Sequence, residues 1–149
     1  MSGNGFPWWG DTITIYNRYE DPTTNIVRWY RHELDNCFWK YDGIKFSVGS
    51  TVLEGNSIIC RIPEDENFLE RYEWEALSND TRSNYFTLGI GDIIIHGGVN
   101  DVVDEYINHH RASDLLAKYK RLQGCMEIQS VSINTGTAKA VPHYLVRGE

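Results

Sequence analysis

The chain has 149 residues, 41% hydrophobic and 23% charged, which suits one soluble globular domain, with or without an arm, whose core needs no metal or disulfide. Its net charge of −7 argues against a general nucleic-acid binder, which needs a basic face to displace counterions. No apolar run approaches the roughly 20 residues of a spanning helix, residues 1–6 lack the pattern of a signal peptide, and Cys37, Cys60 and Cys125 are too scattered for a disulfide framework or zinc knuckle.

Branched and aromatic side chains dominate. Ile and Val number 14 and 9 against five Ala and nine Leu, a balance that favours pleated, half-buried surfaces over helices. The expected class is therefore all-β, with one or two short helices. Residues 1–10 read as an N-terminal arm and 11–149 as a single domain. Gly3, Gly5, Pro7 and Gly10 deny the arm regular structure, yet Phe6, Trp8 and Trp9 are large apolar rings. Such an arm either covers its own core or docks on a neighbouring subunit, and the second is the working expectation.

Asp11 to Arg18 alternates Ile13 and Ile15 with Thr12, Thr14 and Tyr16, the pattern of a half-buried strand. Glu20-Asp21-Pro22 signals a turn. Strands follow at 25–32 and 34–41. Asp42-Gly43 reads as a tight hairpin turn, and Ile44, Phe46 and Val48 resume the alternation before Gly49. Gly55 leads into a strand at 57–62 that Pro63 stops. Acids crowd residues 63–80, which hold seven acids and one base. Phe68, Leu69, Tyr72 and Ala76 give that stretch helical spacing. Strands are expected at 85–88 and 92–96, joined through Gly89-Ile90-Gly91. Ile93-Ile94-Ile95 is apolar on both faces and so central. Residues 99–110 fit either a helix or a loop. A helix over 113–122 carries the stripe Leu115, Leu116, Tyr119 and Leu122, with Lys118, Lys120 and Arg121 in its last turn complementing the macrodipole. A hairpin over 126–133 and 140–146, turned at 134–136, closes the chain.

The search for chemistry yields little. His96, His109 and His110 are the best metal candidates, but adjacent histidines diverge on a strand or a helix. There is no H-E-x-x-H and no G-x-S-x-G. Cys60 falls inside an apolar strand and reads as a core thiol. Gly89-Ile90-Gly91-Asp92 lacks the Lys and Ser or Thr of a phosphate loop, and its acid would repel phosphate, so it reads as a structural turn. Trp29, Tyr30, Phe38 and Trp39 would suit a sugar-stacking platform, a barrel core or a subunit contact. No catalytic, cofactor-binding or metal-binding residues are assigned.

The order of motifs points further than any one of them. A strand Thr12-Ile13-Thr14-Ile15-Tyr16-Asn17-Arg18-Tyr19 opens the chain. An aromatic strand around Trp39 follows, then a strand ending Arg61-Ile62-Pro63, then Gly91-Asp92-Ile93-Ile94-Ile95-His96-Gly97. The helix Ser113-Asp114-Leu115-Leu116 precedes a hairpin ending His143-Tyr144-Leu145-Val146. Over roughly residues 11–147 this order resembles small phage structural proteins encoded between capsid and tail genes. Some of these are described as minor capsid proteins, and they are similar to head-closure or neck (stopper) proteins.

The resemblance implies a small β-barrel of head-completion type, assembled as a homo-oligomeric ring, often of twelve subunits. Such a ring lies at the head–tail junction of a virion made in the host bacterial cytoplasm. A portal or adaptor protein lies above it and a tail protein below it. Packaged DNA passes through its channel without specific binding, and no membrane, cofactor or catalytic residue is involved. On this reading Phe6, Trp8 and Trp9 form a subunit contact. Gly43, Ile44, Phe46, Val48, Gly49 and Gly55 form a gating loop, and Glu64, Asp65, Glu66 and Glu70 an acidic lining. Arg111, Lys118, Lys120 and Arg121 form a basic docking helix. A tail-terminator or other connector ring is the near alternative. A carbohydrate-binding module or small hydrolase on a β-sandwich is the alternative of another class.

Overall fold

A computed structural model describes residues 9–48, 51–134 and 142–149, with the side chains of 42–48 and 51–56 left aside. Six antiparallel strands close into a barrel: β1 (Asp11–Glu20), β2 (Val27–Val48), β3 (Thr51–Pro63), β4 (Ile93–His96), β5 (Cys125–Asn134) and β6 (His143–Gly148). Around the wall they run β1-β2-β3-β6-β5-β4 and back to β1. The all-β barrel expected from composition is the fold, and closure leaves its wall without the exposed edges of an open sheet.

Period-2 alternation sorts the two faces of the first strand, but β1 is buried on both and not half-buried, since Thr14, Tyr16 and Asn17 are as enclosed as Ile13 and Ile15. Ile13 and Ile15 point into the barrel with Leu34, Cys37, Cys60, Ile62, Ile94, Met126, Ile128 and Val146. The triple isoleucine is central for a specific reason. Ile94 faces the interior, whereas Ile93 and Ile95 face a second core outside the wall with Tyr16, Val99, Val103, Leu115 and Tyr119. That second core is roofed by the loop after β4 and by α3 (Ala112–Arg121). Burying a side chain of this size contributes about 1.5–3 kcal/mol, so a four-residue strand with both faces covered is amply anchored.

Several expectations are corrected. The strands expected at 25–32 and 34–41 are one, and Asp42-Gly43 is no turn. β2 runs on through Gly43, which pairs with Asn56, and Ile44 pairs with Gly55, as far as Val48 opposite Thr51. The turn signal was local, and pairing with β3 overrides it. A bulge lets so long a strand serve two neighbours. The register with β1 shifts between Ile13 and Asp11, and Asn36 sits there in the left-handed region at φ 59°. Inward positions thereby change from even (Leu34) to odd (Cys37, with Trp39 behind it).

Residues 64–92 cross from β3 to β4 and supply Phe86 and Leu88 to the barrel interior, with Phe68 packed against them. The helix expected across the acidic stretch reduces to α1 (Arg71–Glu75) and α2 (Asn79–Arg82), and the strand at 85–88 to a single bridge between Phe68 and Phe86. α3 starts one residue early, with Arg111 at its cap, and Asp114 accepts from the Arg111 backbone N–H at 3.1 Å. The turn expected at 134–136 lies beyond the described part of β5.

Candidate functional site

The arm is the first surface the structure re-draws. Trp9 is 5% exposed and packs on its own barrel, its ring 6.2 Å from Phe38 and edge-on to His143 at 5.8 Å. Trp9 is therefore part of the barrel's own packing and departs from the docking role expected of it. Phe6 and Trp8 lie outside the described residues.

The gating segment is a two-stranded ribbon. The last β3–β6 pair is Ile58 with Gly148, and beyond it, among the described residues, β2 and β3 have only each other, from Asp42 opposite Ser57 to Val48 opposite Thr51. At about 3.3 Å per residue the ribbon carries the backbone roughly 20 Å past the wall. Gly43, Ile44, Phe46, Val48 and Gly55 all lie on it, and Gly49 lies outside the described residues.

The acidic residues do converge. Glu64, Asp65, Glu66 and Glu70 line one groove of about 510 Å³ with Glu73, and Phe68, Ile133 and Tyr144 complete it. Local hydrogen bonds shape it: the Tyr144 hydroxyl accepts from the Asp65 backbone N–H at 3.2 Å, and Asp65 accepts from the Asn67 N–H at 2.8 Å. Phe68 stacks on Tyr144 at 4.2 Å.

The basic helix divides in two. Lys118 is held by Asp101 at 2.8 Å, and the Tyr119 hydroxyl donates to the same carboxylate at 2.5 Å. The Tyr16 hydroxyl donates to the Asp101 carbonyl at 2.7 Å, and burial followed by the Asp101 charge raises Tyr16 to about 12. Burial pushes the Asp101 carboxyl up, but hydrogen bonds from Lys118 and Tyr119 outweigh it and hold it below the ordinary value. Lys118 is thus a latch between α3 and the loop beneath it. Arg111, Lys120 and Arg121 are exposed.

The histidines separate. His96 stacks on Trp39 at 5.0 Å and meets Asp11 at 3.1 Å, while His109 and His110 line a different hollow with Arg111 and Asp114. The four rings of the sugar platform also disperse. Trp29 donates to Glu105, Tyr30 packs on Trp74, Phe38 lies under Trp9, and Trp39 backs His96. Cys37 and Cys60 are fully buried, and burial raises both thiols, which suits core packing.

Sequence reasoning missed the roles of two arginines, the partly buried Arg71 inside the acidic stretch and the buried Arg82 just after it. Arg82 is 1% exposed. Its guanidinium lies 3.6 Å over Tyr19, between Tyr30 and Trp74. It donates to the carbonyls of Trp74 and Glu75, each at 3.1 Å, and of Leu77, and to Asn79 and Tyr30. Arg71 pairs with the fully buried Asp92 at 2.8 Å and donates to the Arg18 carbonyl. Asn17 and the Arg18 N–H also bond Asp92, at 2.8 and 2.9 Å. Gly89 leaves room for this pair: a Cβ there would lie 2.9 Å from the Arg71 guanidinium, which would have to shift. These two sites fasten the crossover to the barrel end.

Comparison with curated proteins and with solved structures finds no match to either. A family model matches from Trp9 through to residue 149. The chain belongs to the DUF6751 family, a family of unknown function, over residues 9–149.

Proposed function

We propose that this chain is a structural subunit of a phage head–tail connector, closing the capsid below the portal or adaptor and offering a surface to the tail. The observation that carries the reading is the β2–β3 ribbon, which leaves a closed barrel and, among the described residues, is paired only with itself from Asp42 to Ser57. The ribbon's outer edges are unpaired among the described residues, and a ring of subunits can satisfy such edges by strand addition across a lumen. The charge distribution supports the same reading. A chain with a net charge of −7 would not hold DNA by counterion release, so DNA would pass it without binding. The resemblance in motif order over residues 11–147 supports a virion subunit with packaged DNA, a portal-side protein and a tail protein as neighbours.

Negative-stain electron microscopy of the purified chain, alone and with its portal, tests the proposal. Rings, or rings stacked on the portal, are expected. A protein that stays monomeric and leaves the portal bare at every concentration would overturn it.

A further inference from the structure

The monomer leaves two charged faces unspent, and they match. α3 ends at Lys120 and Arg121, followed by Leu122, which is 64% exposed. Unlike Lys118, neither Lys120 nor Arg121 meets a carboxylate among the described residues. The inward stripe of the helix is already used by Leu115 and Tyr119. What remains is an unpartnered helix face of two cations around one large apolar side chain.

The groove at the far side has the converse make-up. Glu66, Glu70 and Glu73 are exposed and likewise reach no cation among the described residues, since Arg71 turns away to Asp92 and Glu75. Between them lie Phe68 and Ile133, the latter 44% exposed. The two faces sit at opposite ends of β5, because Cys125 packs under α3 and Ile133 lines the groove. At about 3.4 Å per residue that separates them by roughly 27 Å. One chain therefore cannot bring its own face to its own groove.

Resting on the ring reading above, we propose that the Lys120–Arg121–Leu122 corner of one copy docks in the Glu66–Glu70–Glu73 groove of the next. Leu122 covers Phe68 and Ile133, and the cations meet the carboxylate rim. Desolvating the apolar centre supplies affinity, and the charges fix orientation and reject other pairings. Head and tail are different patches, so the contact is heterologous, and it generates a ring when its rotation closes.

Light scattering and sedimentation velocity on the full chain test this. Lys120→Glu with Arg121→Glu, and separately Glu66→Lys with Glu70→Lys, should each weaken self-association at least about tenfold, because each now opposes like charges. All four positions are exposed, so thermal melts should stay unchanged. Mixing the two variants should restore assembly with the variants alternating, since the reversed face of one fits the reversed groove of the other. A single chain carrying all four changes should also assemble. Both pair variants assembling like the unmodified chain, or no rescue on mixing, would overturn the docking and leave the ring reading intact. An unmodified chain that is monomeric at every concentration would overturn the docking, and one that also leaves the portal bare would overturn both.

Discussion

Asp92 and Asp101 each lie beside a cation and accept several hydrogen bonds, yet their titrations move in opposite directions. Asp92, in the crossover, is fully buried, and burial raises its carboxyl despite Arg71, the Arg18 N–H and Asn17. Asp101, under α3, is open to water along one side, and its bonds to Lys118 and Tyr119 win, so its carboxyl is lowered. Distance to the partner is the same 2.8 Å in both. What differs is the water each carboxylate gives up. The crossover is thus a place where polar groups are committed to holding the fold. The α3 surface keeps its charges cheap and leaves Lys120 and Arg121 for a neighbour.

The strongest way to break this contrast is to remove the guanidinium with the least access to water. Arg82→Met should destabilise the protein by about 4 kcal/mol, as it orphans the carbonyls of Trp74, Glu75 and Leu77 and empties the cage of Tyr19, Tyr30 and Trp74. Urea unfolding at neutral pH measures it. Arg82→Lys should recover little, because an ammonium cannot match five acceptors held in a planar fork. A loss under about 1 kcal/mol for the Met variant would show that the cage is not what holds α1 and α2 to the barrel.

Arg71→Met sharpens the comparison through its pH dependence. Breaking a buried pair leaves an uncompensated charge, and a loss of about 3 kcal/mol at pH 7 is expected, the low end of such effects because Arg71 is partly exposed. The folded-state carboxyl of Asp92 already lies above its unfolded value, and losing Arg71 raises it further. Over the interval between the two values the native state holds a proton that the unfolded state does not. Stability therefore falls as pH rises through that interval and recovers on acidification. A variant equally destabilised at pH 4 and pH 7 would contradict this account.

These two arginines also mark where the sequence stops being legible. The barrel wall was readable because alternation at Ile13 and Ile15 and the run Ile93–Ile95 report burial directly, one residue at a time. α3 was readable for the same reason, with Leu115 and Tyr119 on one face and three bases at its end. Arg71 sits among seven acids and Arg82 just beyond them, and nothing next to either marks a cation that holds the fold. Their partners are helix-end carbonyls and an aspartate 21 residues away, and no local pattern announces either. β2 misled for a related reason. Asp42-Gly43 is a good turn in isolation, but the pairing of Gly43 with Asn56 is decided by β3. Of the candidate surfaces, the convergence of Glu64, Asp65, Glu66 and Glu70 followed from their closeness in sequence, whereas the packing of Trp9 on Phe38 and His143 depends on strands far from it. Asp92 could have been suspected: an acid between a glycine turn and a triple isoleucine has little room to be solvated.

The smallest expected effect tests the open end of the contrast. Asp101→Asn removes the anchor of Lys118 while leaving an acceptor for the Tyr119 hydroxyl. Because water reaches the carboxylate, the pair is screened, and the loss at neutral pH should be at most about 1 kcal/mol and smaller still in high salt. The sign with pH is the reverse of the crossover's. Asp101 titrates below its ordinary value of 3.8 when folded, so as pH falls the unfolded state takes up a proton first. The stabilisation is present above that value and is lost as pH drops through the folded one. The unmodified protein and Asp101→Asn should therefore differ at pH 7 and converge in acid, whereas the unmodified protein and Arg71→Met also converge in acid, but there because the variant recovers. Following all three by urea midpoint from pH 7 down to pH 3 separates the cases. If Asp101→Asn kept a constant deficit across that range, Asp101 would be acting through packing and not through charge, and the division between a committed crossover and a lightly held α3 would lose its electrostatic basis.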